Sequence, residues 1–198
     1  MRRLRLALWA LVGLVAAGMA AFIVTSKPPA PRMETRPADD YASTIGGPFT
    51  LVDSAGEPFS STRLAGRPYA IFFGFTHCPD VCPTTLARLV GMREELGADS
   101  FDIVFVSVDP ARDGPEEIGK YGKLFETPII GLTGSQVQID KVKKQFGVFS
   151  EKVGTAENYN VDHTASVFLM DVNGQFVATI APEESRETAL AKLRRIAG

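Results

Sequence analysis

Residues 69–83 read Tyr-Ala-Ile-Phe-Phe-Gly-Phe-Thr-His-Cys-Pro-Asp-Val-Cys-Pro, an apolar run from Tyr69 to Phe75 that breaks into a loop holding both cysteines of the chain. An uninterrupted, aromatic-rich run of this kind fits a central strand covered on both faces. Phe101 to Val108 is a second such run, and between the two Leu86, Leu89, Val90 and Arg93 recur at helical spacing after Pro83. The local unit is strand, cysteine loop, helix, strand.

Working outward, Phe49 to Val52 and Glu57 to Phe59 flank the turn signal Asp53-Ser54-Ala55-Gly56, which predicts a hairpin. Asp113-Gly114-Pro115-Glu116 predicts a helix to about Phe125 with Asp113 as its cap, and Asp109 and Arg112 fall in the same strand-to-helix junction. Pro128 to Leu132 is a short strand. Ser135 caps a helix over Gln136 to Phe146 that Gly147 terminates. Ser166 to Met170 and Gln175 to Ile180, joined through Asn173-Gly174, form a hairpin, and Glu184 to Ile196 is the closing helix. This order predicts an α/β domain with a mixed central sheet and flanking helices on both faces. A thioredoxin-like fold with an N-terminal β-hairpin extension matches it.

The 198 residues suit one globular domain with a short appendage. Arg2, Arg3 and Arg5 precede Leu6 to Val24, a stretch of 19 residues without a charge. As a helix at about 1.5 Å per residue it spans roughly 28 Å, the thickness of a bilayer's hydrocarbon core. A cleaved signal peptide is the competing reading, given the small residues Ala17, Gly18 and Ala20. The run continues through Phe22-Ile23-Val24 and exceeds the roughly 7–15 residues of a signal peptide's apolar region, which favours a retained membrane anchor at residues 1–26. Residues 27–44 contain Pro28, Pro29, Pro31 and Pro37 and read as an extended linker. The domain at 45–198 is then tethered on the outer, periplasmic side or its equivalent. Of 21 Lys+Arg and 23 Asp+Glu, 6 and 3 precede residue 45, so the domain carries 15 against 20 and is acidic. Such a balance excludes nucleic acid as a partner recognised through a basic surface.

Two cysteines exclude a disulfide scaffold, and two histidines exclude a zinc-finger array. Pro79 extends the backbone at Cys78, and Pro83 suits the first helical position, which sets Cys82 beside a helix N-terminus expected to favour its thiolate. A bridge closing so small a loop gains little chain entropy, so a merely structural disulfide is disfavoured against a redox-active pair or a metal site. His163 stands 81 residues beyond Cys82, just before a strand, where a thioredoxin-like sheet abuts the cysteine loop. Disulfide oxidoreductases of that fold carry a cis-proline there, yet no proline lies between Pro128 and Pro182. Two thiolates and one imidazole form a soft set that suits Cu(I) and can also hold Cu(II). Zinc wants a fourth ligand, and only His77 remains, with its side chain expected to point away from the sulfurs. Asp80 is read as turn chemistry or as a group that tunes the thiols or faces a partner, Asp162 as either a carboxylate that orients His163 or a solvated loop acid, and Met92 and Met170 as core. A Pro-x-x-x-Thr-x-x-Cys peroxidase pattern is absent before Cys78.

GFTHCPDVCPTTL at 74–86, SVDPARD at 107–113 and VDHTASVFLMDVNG at 161–174 together resemble the Sco/SenC family of membrane-anchored copper chaperones. The resemblance implies a thioredoxin-like domain in which Cys78, Cys82 and His163 bind copper and assist assembly of the CuA centre of cytochrome c oxidase subunit II. It also implies a second role for the Cys78–Cys82 pair, thiol-disulfide reduction of that centre's cysteines. Another copper chaperone and a thiol reductant are the further partners expected.

Overall fold

The computed structural model describes residues 44–155 and 158–198 and scattered positions between residues 2 and 22. The chain divides into two compact units, Met1–Arg36 and Pro37–Gly198. The described N-terminal positions are helical, with Leu6, Trp9, Leu14, Val15, Met19 and Phe22 exposed. Among the described residues no helix is long and apolar enough to cross a membrane. The expected anchor at 1–26 and linker at 27–44 lie largely outside the described residues.

In the second unit β1 (Thr50–Asp53) and β2 (Pro58–Ser60) form the expected hairpin. Strands and helices then alternate through β3 (Tyr69–Gly74), α1 (Val81–Leu96), β4 (Asp102–Ser107), α2 (Pro115–Lys123), β5 (Ile130–Thr133) and α3 (Gln136–Phe146). A second hairpin of β6 (Ser150–Gly154) and β7 (Tyr159–His163) follows, then β8 (Val167–Met170), β9 (Phe176–Ile180) and α4 (Arg186–Ala197). Seven strands make one sheet in the order β2-β1-β5-β4-β3-β8-β9, whereas β6 and β7 pair only with each other. β3, β4 and β5 are parallel, and β1 and β8 join them antiparallel.

All six residues of β3 are buried, which is why its sequence shows no alternation. Neighbouring residues on a strand face opposite ways, so Phe72 and Phe73 feed separate cores. Phe73 packs on Phe146 of α3 and Phe168 of β8, with ring centroids 5.3 and 6.0 Å away. Phe72 stacks on Phe105 of β4 at 6.2 Å, and Phe105 meets Tyr121 of α2 at 5.2 Å. The mixed sheet therefore carries helices on both faces. α3 starts as its sequence predicts, with a capping box between Ser135 and Gln138, and ends at Gly147 with φ +65°.

Two starts differ from expectation. α1 opens at Val81, which makes Pro83 its third residue. α2 takes Gly114 as its N-cap with no side-chain bond, and Asp113 is buried beside it for another purpose. The sequence predicts no strand for residues 148–162, yet the second hairpin lies there. Four of the five β6 residues are exposed and only Val161 of β7 is buried, so no apolar alternation marks these strands.

Truncating Phe73 to Ala empties the centre of one core and is expected to cost about 3–5 kcal/mol. Val137→Ala, at an exposed position, should stay within about 0.5 kcal/mol. Equilibrium urea unfolding of the two variants checks both figures.

Candidate metal centre

Cys78 lies in the loop after β3, and Cys82 is the second residue of α1. The backbone N–H of Cys82 donates to Cys78 Sγ over 3.4 Å, so that sulfur satisfies one of the free donors at the helix start. Asp80 occupies the N-cap position, but its carboxylate accepts from the Thr84 hydroxyl at 3.2 Å instead of a backbone N–H. Cys82 turns inward and is fully buried. A Cβ built on Gly74 would stand 2.8 Å from Cys82 Sγ and 2.9 Å from the Phe105 ring. Only glycine at the end of β3 leaves room for the sulfur.

His163 closes β7, and its Nε2 lies 3.4 Å from Cys82 Sγ. The ligand atoms of Cys78, Cys82 and His163 all fall within 4.8 Å of one another, the grouping expected from the sequence. His163 Nδ1 is 3.0 Å from the Thr164 carbonyl oxygen. A carbonyl only accepts, so Nδ1 carries the proton and Nε2 turns its lone pair towards the sulfurs. This orienting partner is backbone, and Asp162 is exposed, which favours the solvated-acid reading of that residue over the orienting one. Phe72 and Phe75 wall the imidazole edge-on at 6.0 and 5.7 Å. Burial holds the ring's pKa below its ordinary value, against the opposing pull of the Thr164 carbonyl and Asp162, which keeps it neutral and able to ligate.

The helix start does not make Cys82 a thiolate, contrary to expectation. Burial first, then the Cys78 sulfur and the Asp113 carboxylate, push its thiol well up. Desolvation outweighs the dipole here because the residue has no exposed surface. In the metal-free state Cys82 keeps its proton and donates it to His163 Nε2. A bound soft cation would replace that proton, since a metal at a thiol inverts the local preference.

His77 stays outside the group of three, as expected. Its Nδ1 is 3.0 Å from Thr76 Oγ1 and 3.5 Å from Asp113 Oδ1. Met92 and Met170 are core residues. The sequence reading missed the acids that hold the site. Asp113 accepts from the Thr76 N–H at 2.9 Å, the Thr76 hydroxyl at 2.6 Å and the Ser107 hydroxyl at 2.6 Å, which fixes the approach to the cysteine loop. Asp109, also without solvent access, accepts from the Tyr159 hydroxyl at 2.9 Å and from Arg112. Asp113, read from sequence as a helix cap, and Asp109, placed in the same junction, are instead buried tethers. The one signal in the sequence was their place beside a core strand, which capping explains equally well.

Gly74→Ala is expected to push Cys82 Sγ out of place and lower stability by about 1–3 kcal/mol through overpacking. Denaturant unfolding together with the chemical shift of Cys82 Cβ checks it, and an unmoved resonance would refute the packing account.

Known proteins place this geometry. Residues 37–198 match the SCO1/SenC family. An SCO2-like protein of Rickettsia prowazekii is 44% identical over 138 residues, covering 67% of this chain and 67% of the relative. The human mitochondrial SCO1 homolog is 35% identical over 139 residues, 67% of this chain but 46% of its own length. Among solved structures, Bradyrhizobium japonicum ScoI with copper bound aligns at a TM-score of 0.70 with 41% identity, covering 77% of this chain and 99% of that one. On the extent of the family match and the identity to these relatives, the chain belongs to the SCO1/SenC family.

Proposed function

We propose that this chain is a copper chaperone that receives copper through the Cys78 and Cys82 sulfurs and His163 Nε2 and passes it on for assembly of cytochrome c oxidase. The observation that carries this reading is the convergence of three soft or borderline donors within 4.8 Å, drawn from residues 81 positions apart in sequence. Metal–sulfur and metal–nitrogen bonds run to about 2.3 and 2.0 Å, so donors sharing an ion stand roughly 3.5–4.5 Å apart. The spacing fits one ion with modest closure. The donor chemistry, two sulfurs and one imidazole without carboxylate, favours Cu(I) over harder cations. Solved relatives carry copper, and the Sco family is one of cytochrome c oxidase assembly proteins.

Copper is cargo here, held by few ligands that an acceptor can replace one at a time without a change of oxidation state. The recipient in this reading is the CuA centre of oxidase subunit II, whose soft ligands would exchange with those of the chaperone. An N-terminal anchor at residues 1–26 and a linker at 27–44 would hold the domain on the outer face of the membrane, near that recipient.

One observation favours a second role. Both cysteines are free, and Cys78 is partly accessible while Cys82 is buried behind it. Such a pair can reduce a target disulfide: Cys78 attacks one target sulfur and breaks the target S–S bond, then Cys82, giving its proton to His163 Nε2 beside it, attacks Cys78 Sγ and breaks the mixed disulfide. Two electrons pass to the target, whose two sulfurs leave as thiols once they take up the two protons that Cys78 and Cys82 release, and Cys78–Cys82 ends as a disulfide.

His163→Ala should weaken Cu(I) retention by at least the roughly 10–100-fold that loss of a mere supporting contact costs at metal sites. Competition against a chromophoric Cu(I) chelator measures it, and wild-type affinity in the variant would end the three-ligand reading. For the second role, reduced protein is expected to convert an oxidised subunit II CuA fragment to its dithiol, read by thiol titration, while Cys78→Ser leaves the fragment oxidised. A fragment that stays oxidised with the wild-type chain removes that role.

A further inference from the structure

β6 and β7 share no ladder with the main sheet, yet β7 delivers His163 to the sulfurs. What fixes this hairpin on the body of the domain therefore decides where the imidazole stands. Tyr159, Val161 and His163 alternate along β7, so their side chains leave on one face, and Lys152 pairs with Val161 on that same face. Val161 is buried in the middle. His163 meets Cys82 at one end.

At the other end Tyr159 is clamped. Its hydroxyl donates to Asp109 at 2.9 Å and accepts from Lys152 Nζ at 3.2 Å. The Arg112 guanidinium lies over its ring at 3.8 Å, and Arg112 Nη1 donates to its backbone carbonyl at 3.0 Å. Lys152 Nζ stands 4.4 Å from the ring centroid on the same side chain. Asp109 is anchored in turn by its own N–H bond to Ser107 Oγ at 3.0 Å, on the last residue of β4. A hydroxyl bonded to a carboxylate without solvent access is a strong, charge-assisted contact. Four residues of strand cover about 13 Å and bend little, so a pinned Tyr159 sets the reach of His163.

We propose that Tyr159 is a positioning residue for the copper site, holding His163 within bonding distance of the two sulfurs by anchoring the far end of β7 to Asp109. The inference rests on the copper reading above and extends it to a residue that touches no metal. Loss of the Tyr159 hydroxyl leaves β3, β4 and the dithiol intact and lets the imidazole wander.

The test is a double-mutant cycle on the full-length chain in detergent, with Cu(I) affinity read by chelator competition. Tyr159→Phe is expected to weaken Cu(I) binding about five- to tenfold, the worth of one buried hydrogen bond. In a His163→Ala background the same change should have no effect, because the ligand it positions is gone. As a metal-free readout, amide hydrogen exchange at Val161 and His163 should speed up in Tyr159→Phe while exchange in β3 and β4 stays at wild-type rates. Lys152→Met, which removes the ammonium but keeps the stem, should shift both readouts in the same direction by less. Unchanged affinity in Tyr159→Phe, or an equal loss with and without His163, overturns the assignment. If His163→Ala alone binds copper like the wild type, the copper reading falls instead, and the exchange rates then decide the role of Tyr159 unaided.

Discussion

Two carboxylates without access to water, Asp109 and Asp113, tie both arms of the site to the end of β4, and the Asp109 contact reaches a hairpin that no ladder joins to the main sheet. Both sit in the short connection between β4 and α2, and the Asp113 N–H bonds to the Asp109 carbonyl at 3.0 Å, so they belong to one tight turn. Asp113 faces the segment leading into the cysteines, and Asp109 faces the hairpin that carries the histidine. A buried charge left without donors costs several kcal/mol, so each acid constrains its partners as firmly as it is itself constrained. The sheet supplies the platform. This turn aligns the two arms of the candidate site on it.

Around the sulfurs, burial dominates over charge. The Cys82 thiol lies in a slot opened by Gly74, under Phe72 and Phe105, and its desolvation exceeds what a helix terminus offers a thiolate. The same dry surroundings keep His163 neutral, with its free nitrogen facing inward. When the site is empty the Cys82 proton stays on its sulfur. A soft cation changes that balance because it brings its own charge into the low-dielectric space, which is the condition for selectivity without a large net charge on the protein.

Much of this was legible in the residues. The unbroken run Tyr69 to Phe75 announced a doubly covered strand, and Ser135, Gly147 and Asn173-Gly174 marked boundaries through capping and turn chemistry that depends only on near neighbours. Cys78, Cys82 and His163 could be grouped because sulfur and imidazole have few other uses in such a pattern. The anchoring acids could not, since an Asp beside a helix start looks the same whether it caps that helix or reaches a residue 50 positions away in sequence. The β6–β7 hairpin escaped for a related reason: it is held by Tyr159, Lys152 and Arg112 instead of an apolar stripe, and periodicity detects only the latter. Cys82 was misjudged because burial is a property of the assembled fold.

The separate pairing of β6 and β7 has a consequence for how such a protein can change over generations. Because His163 rides on an element outside the seven-stranded platform, in the copper reading proposed above substitutions that tighten or loosen its attachment would tune metal retention without disturbing the folded core. On that reading, affinity for cargo and thermodynamic robustness become separable traits, and a lineage could adjust the first to a new acceptor while the second drifts independently.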